Sequence, residues 1–183
     1  MNKHNFHHID TPRLCLRSVN DEEYVHILNT YNDKDLAAYF NLKSPEEINK
    51  ERQRAAKGFS TFNKSLLLFY LIDKETNKTI GWCGYHTWYT DHNRAEIGYV
   101  LSEENAKAKG LMSEALSAIL TYGFTAMNLH RVEAFVGTQN MPSLKLMQKF
   151  GFKQEGTLRE HYFTNGRFED SMVFGLLKRE FKN

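Results

Sequence analysis

The sequence predicts an α/β protein built on one mixed sheet, and three observations predict it. Residues 65–102 hold three consecutive strand-like runs joined by short polar turns, a meander. Residues 95–137 then read strand, long helix, strand, the β-α-β unit whose crossover helix must cover the sheet. Over the whole chain the two periods follow the order β-α-α-β-β-β-α-β-α-β-β, seven strands and four helices. No Pro/Gly/Ser-rich linker, repeat or low-complexity tract divides the 183 residues, so residues 1–183 are expected to form one domain with a full-sized core.

Each element has its own signal. "RLCLRSV" (13–19) alternates apolar and polar residues, a half-buried strand. In "NDEEYVHILNTY" Asn20 can cap, acids fill the first turn, and Tyr24, Ile27 and Leu28 share a face. "SPEEINKERQRAAKGF" (44–59) starts a second helix with Ser44 as cap and Pro45 at the first position, and its Lys/Arg run reads as a solvated face. "SLLLFYLID" is a nearly continuous apolar run, a strand buried on both sides, "TIGWCGYHTWY" pairs with it, and "AEIGYVLS" closes the meander. In the long helix that follows, Leu111, Ala115, Leu116, Ile119, Leu120 and Phe124 mark one face. "RVEAFVG" is a strand. "QNMPSLKLMQKFGF" is a helix, with Asn140 as cap, Pro142 in the first turn and Gly151 as stop. "FKQEGTL" and "EDSMVFGLLK" finish as strands.

Composition excludes several classes of function. With 24 basic and 22 acidic residues the net charge is +2, too balanced for a nucleic-acid footprint or for anchoring on an anionic membrane. No apolar run reaches membrane-spanning length, and "MNKHNFHHID" lacks the apolar segment of a secretory signal. The two cysteines, Cys15 and Cys83, lie far apart in strand segments and read as buried small residues in a reducing cytoplasm. His4, His7 and His8 have no acidic or cysteine ligands beside them and no HExxH occurs, so no metal site is expected. GxxxxGK[ST], GxGxxG and GxSxG are absent as well.

The most informative junction is "LSEENAKAKGLMSEAL". A strand ends near Leu101 and a long helix begins near Leu111, so unpartnered N–H groups and the positive end of the helix dipole meet in one short loop. Such a place suits a phosphate. Ala108 and Gly110 keep the loop lean, Lys107 and Lys109 add charge, and Ser113 offers a hydroxyl. The same residues can also be a plain helix start with two solvated lysines.

These segments together resemble the GCN5-related N-acetyltransferases (GNAT), and within them the Rim-type branch that acetylates ribosomal-protein N-termini. The superfamily's acetyl-CoA loop [Q/R]-x-x-G-x-[G/A] falls on Lys107 to Met112, and the Rim-like "TEAL" on Ser113-Glu114-Ala115-Leu116. Lys107 stands for Gln or Arg, Ala108 for a frequent Gly, and Met112 for a small residue, so Met112 clears a diphosphate only if its side chain turns into the core. N-x-x-S-x-x-[hydrophobic]-x-x-x-G-F is matched at Asn140, Ser143 and Leu146 and, with one residue more before the glycine, at Lys149 to Phe152. "TPRLCLRSV", "AEIGYVL" and "EGTLRE…NG…D", the last running from Glu155 through Asn165 and Gly166 to Asp170, match in the same order.

The resemblance implies a GNAT fold, one mixed central sheet of about seven strands with helices on both faces, in which two parallel strands splay apart to form the acetyl-CoA cleft. It implies that the N–H groups near Tyr99, Val100 and Leu101 hold the pantetheine arm, that the loop Lys107, Ala108, Lys109, Gly110, Leu111, Met112 and Ser113 holds the diphosphate, and that Asn140 touches the cofactor while capping. Acetyl transfer to an amine needs a base for the amine, a stabilised carbonyl oxygen and an acid for the departing thiolate. By resemblance Ser143 is the acid; a serine that only supports the cap is the alternative. Glu96 is the first candidate base, with the cluster Glu160, His161 and Tyr162 second and His86 third. The implied activity is acetyl-CoA-dependent N-acetylation, without a metal, in a monomer or homodimer. The implied acceptor is the N-terminus of a ribosomal protein. The alternatives are a small amine (polyamine, amino acid or antibiotic), or a non-catalytic acyl-CoA sensor. A polyamine would call for several carboxylates in the cleft, for which Asp33, Asp35, Glu46 and Glu47 stand available.

Overall fold

Asn20 opens the first helix with a reciprocal cap: its Oδ1 accepts the Glu23 N–H at 2.8 Å, and the Glu23 carboxylate accepts the Asn20 N–H at 2.9 Å. In the computed structural model, which describes residues 7–56 and 64–182, that helix is α1 (Asp21–Thr30), following strands β1 (His8–Asp10) and β2 (Leu14–Asn20). Then come α2 (Asp33–Phe40), α3 (Pro45–Ala56), β3 (Ser65–Asp73), β4 (Lys78–Tyr89), β5 (Arg94–Leu101), α4 (Leu111–Thr125), β6 (Arg131–Gly137), α5 (Met141–Lys149), β7 (Lys153–Thr164) and β8 (Arg167–Leu177).

The sequence reading missed two of these elements. Strand β1 is three residues long, too short to show a period, and makes the sheet eight-stranded. Helix α2 buries only Leu36 and Phe40; its signal is at its ends, the Asn32 cap and Asn41 in the left-handed conformation at φ 58°. Helix α3 starts as expected, and residues 57–59 of its expected span lie outside the described residues. Its basic run is not all solvated: Arg52 donates to the Leu28 carbonyl and, at 2.8 Å, to Asp33, tying α3 to α1 and α2. Strand β7 runs on past the expected 158 to Thr164, and Asn165 and Gly166, both left-handed (φ 53° and 78°), turn it into β8.

The sheet runs β1-β2-β3-β4-β5-β6-β8-β7. Among the described residues only β5 and β6 pair in parallel, as a β-α-β crossover requires. One face packs against α4 and α5, with Leu116, Ile119, Leu120, Ile97 and Val132 at its centre; the other packs against α1, α2 and α3. All six residues expected on the inner face of α4 are buried, and each large one contributes on the order of 1.5–3 kcal/mol by leaving water. Gly123 interrupts that face because Tyr85 needs the room. A Cβ there would stand 2.1 Å from the Tyr85 hydroxyl, which donates to the Ile119 carbonyl at 2.9 Å. Cys83 is fully buried as expected, whereas Cys15 is only half-buried, its Sγ 3.4 Å from His8 Nδ1.

Candidate active site

Strands β5 and β6 stay paired for three rungs only, Arg94 with Arg131, Ala95 with Val132 and Glu96 with Glu133. Beyond that point β5 keeps β4 as far as Leu101, and β6 keeps β8 as far as Gly137, so the two parallel strands part. The Ser102 N–H donates to the Ile80 carbonyl of β4 at 2.9 Å. Alternation along the strand sends the main chain of Val100 the same way and turns that of Tyr99 and Leu101 into the gap. Val100 therefore differs from expectation: its main-chain groups belong to the β4 ladder, and its side chain is exposed.

Where β5 ends, a single 3-10 turn (Glu104–Ala106) leads into the loop before α4. Ala108 (φ 59°) and Gly110 (φ 76°) are both left-handed, with Lys109 between them, so successive N–H groups turn toward one concavity. Gly110 is the N-cap of α4 and has no side chain to close it. The first N–H to meet a carbonyl one turn back is that of Glu114, on Gly110 at 3.0 Å, which leaves those of Leu111, Met112 and Ser113 at the open helix end. Leu111 and Met112 are buried in the core, so the Met112 side chain does turn away from the loop.

Three lysines surround this loop differently. Lys107 is drawn back onto Glu104 at 2.5 Å, and Lys109 is exposed. Lys149, at the far end of α5, reaches the Ser113 hydroxyl at 2.5 Å. Sequence reading had placed Lys149 only inside a helix motif; nothing in the linear spacing connects residues 113 and 149.

Asn140 caps α5 as expected, its Oδ1 accepting the Ser143 N–H at 3.2 Å. At the other end Gly151 is left-handed (φ 74°), with Phe152 N–H on the Met147 carbonyl at 3.0 Å and Gly151 N–H on the Gln148 carbonyl at 3.2 Å, a Schellman closure. Phe152 is buried against the core, which accounts for the aromatic after the stop glycine. The Ser143 side chain lies beside the phenol of Tyr99, whose hydroxyl is buried. Burial raises the Tyr99 pKa and the nearby Ser143 hydroxyl acts against it, although no hydrogen bond of normal geometry is made.

The opposite face of the splay carries the carboxylates. Arg94 donates to Glu133 at 2.7 Å and Arg131 at 2.8 Å, and Arg131 also bridges to Glu155. Glu96, directly across the ladder from Glu133, has neither arginine. Its neighbours are the His86 Nε2, at 3.4 Å, and the Thr87 hydroxyl. Burial, reinforced by the Glu133 charge, pushes the Glu96 carboxyl up to about 7, against a smaller opposing pull from Thr87. His86 sits at a bulge in β4 with its ring over Gly98, where a Cβ would stand 2.5 Å from it. Burial and the Arg54 charge lower its pKa, so it is neutral at pH 7.

The second candidate cluster is divided by a wide bulge. Between Leu158 and Tyr162 strand β7 carries three residues where β8 has one, Asp170. Asp170 Oδ1 accepts the Glu160 N–H at 2.8 Å, and Glu160 is left-handed (φ 52°) and exposed. His161 turns inward, its ring 5.2 Å from that of Phe135 on β6 and 4.3 Å from that of Tyr162. The Glu96 charge, after burial, raises the Tyr162 pKa, which sets that phenol near the same carboxylate. An open cavity of about 1270 Å³ lies between α2, the β3–β4 turn and the loop before α4; Arg13, Lys109 and Leu111 are in its lining, and it reaches none of Glu96, Tyr99, Asn140 or Ser143. Among the described residues no three His, Cys, Asp or Glu side chains are grouped to hold a metal ion, and no helix is long and apolar enough to cross a membrane.

Residues 13–153 match the sequence model of the acetyltransferase (GNAT) domain. The chain belongs to the GNAT acetyltransferase family. It is 36% identical over 172 residues, 93% of this chain and 96% of the relative, to the uncharacterized N-acetyltransferase p20 of Bacillus licheniformis. The crystal structure of ribosomal-protein-S5-alanine acetyltransferase from Vibrio fischeri superposes with a TM-score of 0.69 at 22% identity, over 97% of this chain and 100% of that one. Spermidine N-acetyltransferase from Vibrio cholerae, in complex with CoA and spermine, gives 0.69 at 24% identity over 94% of this chain and 100% of that one. The protein is an acetyl-CoA-dependent N-acetyltransferase.

The GNAT resemblance acquires physical reasons here. "TPRL" and "SEAL" meet in space: Glu114 accepts from the Thr11 hydroxyl at 2.6 Å, the Arg13 N–H at 2.8 Å and Arg13 Nε at 2.7 Å, while Arg13 Nη1 donates to the Lys109 carbonyl at 2.9 Å. The first turn of α4 and the loop before it are thus clamped to β2. "NG" is the hairpin turn and Asp170 the residue that holds the bulge. Acetyl-CoA fits the chemistry of these residues: N–H groups at the α4 terminus would suit its phosphates, and the open edge at Tyr99 and Leu101 would suit its amide arm.

Proposed function

We propose that this acetyltransferase modifies the N-terminal α-amino group of a protein, a ribosomal protein being the named candidate, with Glu96 as base and Ser143 as acid. The observation that carries the base assignment is the sorting of charge at the last paired rung. Both arginines go to Glu133, and Glu96 keeps a carboxyl that titrates near the working pH. Bound acetyl-CoA supplies the thioester carbonyl that the amine attacks. Glu96 takes the proton of the acceptor ammonium, directly or through one water, so that a neutral amine faces the splay. The Ser143 O–H gives its hydrogen to the sulfur as the C–S bond breaks, and the serine oxygen regains a hydrogen from the nitrogen of the new C–N bond, which is left as the amide N–H. The open N–H groups at Tyr99 and Leu101 hold the arm, and a donor at that edge is aligned to stabilise the carbonyl oxygen. The concavity from Ala108 to Ser113, with Lys149, holds the phosphates.

The character of the acceptor side supports a protein terminus over a polyamine. Asp33 pairs with Arg52, Asp35 accepts from Asn32 Nδ2 at 2.7 Å, and Glu47 accepts the Lys43 N–H at 2.6 Å. Glu46 is exposed in the first turn of α3, bonded to Ser44, which lowers its pKa. All four are engaged within the helical layer, Asp33 across α2 and α3 and the others at their own helix starts. Tyr162 lies near Glu96, with the rings of His161 and Phe135 stacked beyond it, a surface suited to one amine carried on a peptide. A ribosomal acceptor would put the enzyme in the cytoplasm, in keeping with its two free cysteines.

The test compares protein N-termini by mass spectrometry in strains with and without the enzyme, beside thiol-release assays with spermidine and spermine. Loss of acetylation at one N-terminus is the expected result. Efficient turnover of the polyamines with every N-terminus unchanged would replace this reading with the small-amine one.

A further inference from the structure

Tyr99 has a part that its main chain does not explain. Its side chain leaves β5 on the same face as Ala95 and Ile97, toward α4 and α5, and its hydroxyl is buried without a hydrogen-bond partner among the described residues. A buried hydroxyl without a partner costs free energy, and one retained beside a reaction centre calls for a reason. Below it lies Cys83, across the β4–β5 ladder, whose thiol burial keeps protonated. Above it lies Ser143, held at the third position of α5 by the Asn140 cap.

A serine hydroxyl has three staggered wells, one donor and two acceptor sites, and the Asn140 cap fixes only the Ser143 main chain, not its hydroxyl. A donor aimed at Oγ from below would select one. We propose that the Tyr99 phenol is a positioning residue: it donates its O–H to Ser143 Oγ and leaves the Ser143 O–H free to point at the departing sulfur. Tyr99 keeps its proton throughout; the hydrogen bond moves no charge onto the phenol, which burial would oppose. The proposal rests on the acid role given to Ser143 above and adds a residue to it.

Tyr99→Phe removes the hydroxyl and leaves the main-chain groups in the gap untouched. Because the hydroxyl makes no hydrogen bond of normal geometry before the site is occupied, folding should be unaffected and the melting temperature equal or higher. Steady-state thiol release should show kcat lowered roughly tenfold, within reach of a lost aiming contact to an acid, with KM for acetyl-CoA unchanged. In a Ser143→Ala background the same change should have no further effect, because there is no hydroxyl left to aim. Wild-type kcat in Tyr99→Phe, or losses that multiply in the double variant, would overturn the proposal while leaving Ser143 as acid. Full turnover in Ser143→Ala alone would remove the acid role, and the Tyr99 role with it. Tyr99→Met, which also lacks the hydroxyl, is carried in parallel so that a fault in packing at one variant does not decide the outcome.

Discussion

Glu96 and Glu133 face each other across the last rung that joins β5 to β6, and both arginines of that neighbourhood, Arg94 and Arg131, bind Glu133. Two carboxylates on adjacent strands repel, so neutralising one leaves the other to carry the proton. The pair is thereby divided into a structural carboxylate and a titrating one at the point where the sheet opens.

The first expected outcome concerns pH. With Glu96 pushed up to about 7, kcat should rise through that pH as the base loses its proton. The profile of kcat/KM should add the acceptor's own ionisation, about 8 for an N-terminal amine. Glu96→Gln should lower kcat, remove the limb near 7, and leave affinity for acetyl-CoA intact. Stability gives an independent check with its sign fixed. The folded state holds a proton that the unfolded chain releases near 4.5, so the wild type loses stability as pH rises from there to about 7. The Gln variant escapes that loss, roughly 2 kcal/mol above pH 7, and denaturant titrations at pH 5 and pH 8 will show it.

At the loop, backbone conformation should matter more than charge. Gly110→Val forces a β-branched residue to φ 76° and should weaken acetyl-CoA binding by at least tenfold, roughly the factor that 1–2 kcal/mol of left-handed strain implies. Ala108→Gly relieves the same strain at φ 59° and should bind equally well or more tightly. Lys149→Ala should cost more affinity than Lys109→Ala, since Lys149 is already fixed on Ser113. Both losses should shrink with added salt. Calorimetry with the four variants decides; unchanged affinity in Gly110→Val would move the phosphate site elsewhere.

Ser143→Ala and Asn140→Ala should separate chemistry from capping. The Asn140 cap reaches the Ser143 main chain, not its side chain, so Ser143→Ala keeps the helix end. Its kcat should fall roughly ten- to a thousandfold with little change in acetyl-CoA affinity. Asn140→Ala should cost about 1 kcal/mol of stability and raise KM for acetyl-CoA. Thermal melts and steady-state kinetics on the same preparations distinguish the two patterns.

Much of the architecture was legible in the residues because its signals are local. Asn20 with Glu23, Asn140 with Gly151, and the apolar face of α4 each declare an element within one or two turns of chain. The meander and the crossover could be read in order for the same reason, and the loop before α4 followed from a strand meeting a helix start. The elements that escaped, β1 and α2, are too short to complete a hydrophobic period.

What the sequence by itself determined, then, was the kinds and order of most elements, the GNAT resemblance and a set of candidate residues. Tertiary structure decided which of those residues meet. It gave Arg94 to Glu133 rather than Glu96, because strand register sets it beside a residue 39 positions away, where Arg131, two positions from Glu133 on the same strand, already binds. It turned the Val100 main chain into the β4 ladder and left Tyr99 and Leu101 open, since alternation assigns each group once the pairing is known. It brought Lys149 to Ser113 and Arg13 to Glu114, contacts set by how helices and strands dock. Long-range electrostatics and hydrogen bonding depend on distance in space, and a linear sequence carries distance only along the chain.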